Sequence, residues 1–145
     1  MNLAKFLTRF WAFLIDNIAL VVLAWLISML LVPLFGAVAA TGIPIISWIG
    51  GALVFFTAFI LLFFQFFYFG WLWSRGGQSY GMKFLGIKVT RRDGGPLGFW
   101  RAGFRGTIGY WISGLVFGLG FIWAAFDRGK EAWHDKIFDT HVLKL

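Results

Sequence analysis

Asp16, Arg9, Gln65, Arg101 and Arg105 are the residues whose types and spacing point to chemistry in an otherwise apolar chain. Asp16 lies in an apolar run from Phe10 to Val32, where an acid costs about 2.5–3.5 kcal/mol on insertion scales. Arg9 precedes it by two helical turns, so both project from one face, about 10 Å apart along the axis. Ala12 and Ala19 continue that face and admit a closely packed second helix. Gln65 lies about as deep in the second apolar run, and in an antiparallel pair the two polar groups are expected to meet. Arg101 and Arg105, one turn apart, enter from the same side, where either would neutralise Asp16. Two readings follow. One is a proton or cation site in a polar cavity open to the inner leaflet; the other is a self-neutralising Arg–Asp–Gln network that fixes helix register.

The tail holds a second polar group. Asp127, Arg128, His134 and Asp135 read as anchors, the two acids pairing with Arg or Lys to hold a tail helix beneath the bundle. The adjacent His134 and Asp135 invite a catalytic or metal reading, but no Ser or Cys nucleophile is identified for them. His141 lies beyond the i,i+4 spacing that helical metal pairs use. Gly76-Gly77 and Gly94-Gly95 read as turns, because no phosphate-loop pattern surrounds them. Lys83, Lys88 and Arg91-Arg92 form a basic surface suited to anionic lipid head groups. No catalytic residue, cofactor or metal site is expected, and the aromatic stretch from Phe63 to Phe69 reads as lipid-facing packing.

These residues sit in 145 positions of which 60% are hydrophobic and 13% charged, against roughly 25% charged in soluble domains. That much apolar surface outruns the polar surface available to cover it, so the surplus must face lipid. A soluble enzyme core and a disordered chain are excluded, and the absence of cysteine excludes disulfides and thiolate chemistry. Thirteen Lys/Arg against six Asp/Glu read as topology signals rather than as a nucleic-acid surface.

The first run, 10–32, has about 23 residues and is long enough to span a bilayer. Its length and Asp16 argue against a signal peptide, so a retained span is expected. Pro33–Ile46 is uncharged and reads as a short turn. The second run, 46–73, carries Trp48 at one end and Trp71 and Trp73 at the other, as interfacial belts do. A cytoplasmic loop is expected over 74–105, with β-formers at Phe84–Thr90 and a turn at Arg92–Pro96. The third run, 106–126, is rich in glycine. As one span it sends the tail, 127–145, outside; broken near Ser113-Gly114 or Gly118–Gly120, it returns the tail inside. The return is favoured, because Phe84–Thr90 and Thr140–Leu145 each need a strand partner on one side of the membrane. The positive-inside rule then places both termini in the cytoplasm.

Arg9-x-x-Ala12-x-x-x-Asp16 resembles the opening signature of the RDD family of small membrane proteins. Gly77-Gln78-Ser79-Tyr80-Gly81-Met82-Lys83-Phe84-Leu85-Gly86-Ile87-Lys88-Val89, with Asp93-Gly94, Arg101 and Arg105, is similar to its central block. Phe126-Asp127-Arg128, Trp133-His134-Asp135-Lys136 and Thr140-His141-Val142 resemble its last. Asp139 stands where the family usually has a small residue. The resemblance implies fold and location, with ligand or ion transport the usual proposal for function.

The expected fold is therefore an all-α polytopic membrane protein. It is a small helical bundle of two firm spans plus a broken third run, or re-entrant hairpin, with a short cytoplasmic β-element. The whole chain reads as a single domain in the inner (plasma) membrane. Its expected function is transport of a proton, cation or small solute through Asp16, with a non-catalytic accessory subunit of a larger membrane complex as the alternative. Expected partners are the bilayer, anionic head groups, and a second copy or another membrane protein, but not nucleic acid.

Overall fold

The computed structural model describes residues 2–145. Two long helices come first, α1 (Phe6–Ala39) and α2 (Pro44–Gly76). Both are long and apolar enough to cross a membrane. They run past the ends that the apolar runs suggest. Pro33 lies inside α1, which removes one ladder hydrogen bond without ending the helix, as spans in lipid allow. Pro44 opens α2, where its missing N–H is no loss and its fixed φ suits the first turn. The connection shrinks to 40–43, with Gly42 at φ +77°.

After α2 come α3 (Tyr80–Phe84) and β1 (Ile87–Arg91). The glycine-rich run is broken. It begins as α4 (Phe99–Phe104), widens to a π-helical turn (Arg105–Gly109) and continues as α5 (Tyr110–Gly114). The chain then bends by 92° into α6 (Leu119–Phe126). The bend needs left-handed backbone at Phe117 and Gly118, φ +49° and +76°, and glycine at the second position supplies it without a Cβ clash. Counted as one bent span, this pair brings the candidate spans to three. A short α7 (Trp133–Ile137) and β2 (Thr140–Lys144) close the chain.

By internal contacts the chain divides into two units: Ile18–Phe64, and Met1–Asn17 with Gln65–Leu145. The first is the helical hairpin of the far halves of α1 and α2. Its side chains Val21, Trp25, Leu30, Phe55 and Phe56 are exposed, the inside-out distribution that hydrocarbon permits and water does not. Gly50 is the close approach: a Cβ there would lie 2.3 Å from the Ala39 backbone nitrogen and 2.8 Å from the Phe35 carbonyl oxygen.

The second unit holds the sheet. β1 and β2 pair antiparallel from Ile87 opposite Lys144 to Arg91 opposite Thr140, as the need for strand partners anticipates. The N-terminal segment adds to the far edge of β2. Leu3 bridges Leu143, the Ala4 N–H donates to the Val142 carbonyl at 2.9 Å and the Lys144 N–H to the Asn2 carbonyl at 2.8 Å. Alternation puts Ile87, Val89 and Val142 inward, and Phe69 and Trp73 of α2 are likewise fully buried.

The Gly50 contact makes a prediction with its own control. Gly50→Val should destabilise the detergent-solubilised protein by about 1–3 kcal/mol through overpacking. Gly51→Val, with nothing within 4 Å of its Cβ, should leave the thermal denaturation midpoint nearly unchanged.

Candidate functional site

Asp16 is 1% exposed and accepts three hydrogen bonds. The Tyr68 hydroxyl donates to Oδ1 at 2.7 Å, the Gly81 backbone N–H to the same oxygen at 2.9 Å, and the Ser79 hydroxyl to Oδ2 at 2.5 Å. The donors come from α2 and from the start of α3, so one carboxylate ties three segments. Only glycine fits at position 81. A Cβ there would stand 2.3 Å from the Ala12 carbonyl oxygen, and the backbone N–H reaches Asp16 because that atom is missing.

The arginines go elsewhere. Arg9 Nη1 lies 2.7 Å from Asp135 Oδ2, and Arg9 Nη2 donates to the Val142 carbonyl at 3.3 Å. Arg105 Nη2 pairs with Asp135 Oδ1, while its Nε donates to Thr140 Oγ1 at 3.0 Å. The Arg105 guanidinium lies over Trp73, 4.6 Å from the ring centroid, a cation–π contact strengthened by burial. Asp135 also accepts the Ala132 N–H at 3.1 Å, which satisfies a donor at the entry to α7. This one acid joins the first span, the π-helical turn and the tail.

Beside it, Ser113 Oγ lies 2.9 Å from His134 Nδ1 and accepts the His134 backbone N–H at 3.2 Å. The imidazole is wedged edge-on against Tyr110 and tilted against Phe121, at 4.9 and 5.2 Å between centroids. Ser, His and Asp adjoin here, yet their geometry is that of a latch. His134 Nε2 stands 3.7 Å from Asp135, too far for a hydrogen bond, and Ser113 is fully buried. Burial lowers the His134 pKa to about 3, the nearby guanidiniums adding to the effect against the pull of Asp135. Burial alone would raise the Asp135 carboxyl; Arg105, with Arg9 behind it, holds it well below the usual carboxylate range. Among the described residues no group of three or more His, Asp or Glu is placed to hold a metal.

A cavity of about 260 Å³ opens beside this cluster, lined by Arg9, Arg105 and His134 at its polar end and by Phe10, Phe13 and Phe121 elsewhere.

The expected meeting of Arg9, Gln65, Arg101 and Arg105 around Asp16 is therefore corrected. Gln65 Nε2 donates to the Gly106 carbonyl at 2.8 Å, serving the backbone where the helix widens into its π turn. Arg101 is exposed and makes no ion pair among the described residues. Arg105 and Arg9 are drawn to Asp135 because each of its two oxygens can accept a charge-assisted hydrogen bond from one guanidinium. Tyr68 and Ser79 supply the donors instead, and Ser113 is the hydroxyl partner of His134 that sequence reading did not identify. In the tail, Asp127 holds Lys136 at 2.5 Å and accepts the Gly129 and Glu131 N–H groups. The hydrogen bond from Lys136 leads in depressing its pKa. Arg128 is exposed and unpaired among the described residues. Arg92 pairs with Glu131 at 2.9 Å and with Asp139 at 3.3 Å.

Two predictions follow from the Asp135 cluster. Asp135→Asn leaves two buried guanidiniums short of a countercharge and should cost about 3–5 kcal/mol of stability, read as a large drop in melting temperature. The second concerns pH. In the unfolded chain His134 titrates near 6.5, in the folded one near 3. As pH falls below 6.5 the unfolded state takes up a proton that the folded state refuses. Stability then declines by up to about 1.4 kcal/mol per pH unit. The depressed Asp135 acts in the same direction further down: its contribution is present above about pH 4 and lost as pH falls through its folded value. His134→Gln should flatten the melting temperature between pH 6.5 and 4.5 and leave the more acidic limb in place.

The sequence from residue 3 to 139 matches the pattern of the RDD family. The uncharacterized protein YxaI of Bacillus subtilis (strain 168) is 30% identical over 149 residues, covering 97% of this chain and 96% of that protein. No solved structure matches. With the Arg9/Asp16 opening, the bent glycine-rich run and the closing strand all in one apolar chain, this is an integral membrane protein that belongs to the RDD family.

Proposed function

We propose that the protein moves a proton or small cation across the membrane, with Asp16 as the exchanging group. One observation carries this reading. The other five acids of the chain are all in ion pairs: Asp135 with Arg9 and Arg105, Asp93 with Arg91, Glu131 and Asp139 with Arg92, Asp127 with Lys136. Asp16 is bonded to neutral donors alone among the described residues. An ionisable group in a span is expensive and is kept where it faces a pathway; one without a protein countercharge can alternate between a proton or cation and its own hydrogen bonds. Tyr68 and Ser79 can rotate their hydroxyls between donating and accepting as that occupant changes, while the Gly81 N–H cannot.

The setting supports the same reading. The N-terminal segment pairs with β2, which favours both ends of the chain on one face, and the excess of Lys and Arg favours the cytoplasm of a plasma membrane for that face. Two or three spans enclose little pathway, so the working unit is proposed to be an oligomer of this chain.

The test is flux in proteoliposomes under an imposed pH or cation gradient. Asp16→Asn should lower it at least tenfold, and Tyr68→Phe should move the pH at which flux is half-maximal. Full flux in Asp16→Asn sinks the role given to Asp16. No flux under any cation or proton gradient, together with a stable complex containing a second membrane protein, would favour the accessory-subunit reading.

A further inference from the structure

We infer that the cavity beside the Asp135 cluster is a binding site for one anionic phospholipid, the phosphate at Arg9 and Arg105 and an acyl chain among the phenylalanines. The cavity is amphipathic. Arg9 and Arg105 line one end, and Phe10, Phe13, Phe121 and Ile122 form an apolar wall. At about 260 Å³ it is smaller than the 300–1,000 Å³ typical of pockets for drug-sized molecules, a size that suits a slender chain better than a fused-ring ligand.

The polar end is short of negative charge. Two guanidiniums share the single carboxylate of Asp135, and His134, neutral in this setting, adds no charge of either sign. One positive charge is left over. Arg105 is 1% exposed, yet its Nη1 has no hydrogen-bond partner, and neither has Nε of Arg9. Both nitrogens are enclosed by the protein; the part of the Arg9 side chain that stays exposed, 12%, is where phosphate oxygens, the acceptors that arginine accommodates best, can approach the pair. A phospholipid bearing one net negative charge would balance the surplus, whereas a zwitterionic lipid would bring its own cation. The mouth is also suitable. Phe117 and Ile122, which line the cavity, are exposed at the bend and on α6, where an acyl chain can enter sideways from the bilayer. This site is separate from the basic surface of Lys83, Lys88 and Arg91-Arg92, which offers charge without an apolar wall, and it does not depend on the role proposed for Asp16.

The test uses the purified full chain, delipidated in detergent. It is titrated with phosphatidylglycerol, with phosphatidylcholine of the same acyl chains, and with inorganic phosphate. Phosphatidylglycerol should raise the melting temperature saturably, by about 5–10 °C at a hundredfold excess over its dissociation constant. Native mass spectrometry should show one retained lipid per chain, and the other two additives should cause no shift. Ile122→Trp, which fills the cavity, and Arg9→Gln, which removes half of the phosphate clamp, should each abolish the shift and the retained lipid. An equal shift with phosphatidylcholine would reduce the site to an apolar groove, and an equal shift with phosphate alone would reduce it to a head-group site; either overturns the proposal. So would no shift with phosphatidylglycerol, or an undiminished shift in Ile122→Trp. The comparison of lipid classes on the unaltered chain stands whether or not the variants fold.

Discussion

The second unit depends on one carboxylate held between two guanidiniums. Asp135, wholly buried, would be a heavy liability alone, since removing an ion from water costs several kcal/mol even after relaxation. Arg105 on one side and Arg9 on the other offset that cost. The arginines are equally dependent on it, because a guanidinium in this setting cannot discard its proton. The arrangement is therefore all-or-none. It requires the first turn of α1, the π-helical turn and the tail helix in their places together, and it helps to hold a helix of only five residues in the structure.

Around this knot the other polar groups have divided the work. Asp16 fastens α1 to α2 and to the start of α3 through neutral donors. Ser113 and His134 latch the tail to α5. Gln65 supplies a donor to the backbone at the π turn, the type of local widening that recurs at functional positions. Asp16, Ser113, His134 and Gln65 thus each have a named partner, and the chemistry left open is centred on Asp16 and on the excess charge of the arginine pair.

The architecture was legible because it follows from quantities that the sequence carries directly. Apolar run length marks α1 and α2, the glycines mark the break before α6, and the β-rich segments near 84–90 and 140–145 each needed a strand partner and find one in the other. The polar partners were less legible, for a physical reason. Helical spacing tells which residues share a face, and it puts Arg9 and Asp16 on one stripe. It does not tell which of two carboxylates an arginine will choose when the second arrives from a distant segment. Asp135 wins because the tail folds back against the start of α1 and the π-helical turn and offers one oxygen to each arginine. Tyr68 and Ser79 escaped notice because hydroxyls are common and carry no charge to betray them; the nearest clue was Gly81, adjacent to a run of turn-formers. Ser113 escaped for a similar reason, lying within a stretch read only for where it would break.

The pairing of Arg9 with Asp135 spans 126 positions of the chain. The bridge from Leu3 to Leu143 spans still more. Loops of that size close slowly, and their contacts form late. As the protein emerges from the ribosome, the opening helix must enter the bilayer while its arginine still lacks the acid that will hold it. Until the tail is made, Arg9 can satisfy its charge only at the membrane surface, so the first span is pinned at its start by lipid and water before it is pinned by protein. The sequence order of the two partners thereby makes the membrane itself a temporary stand-in during assembly, and the tail helix the piece that ends that dependence.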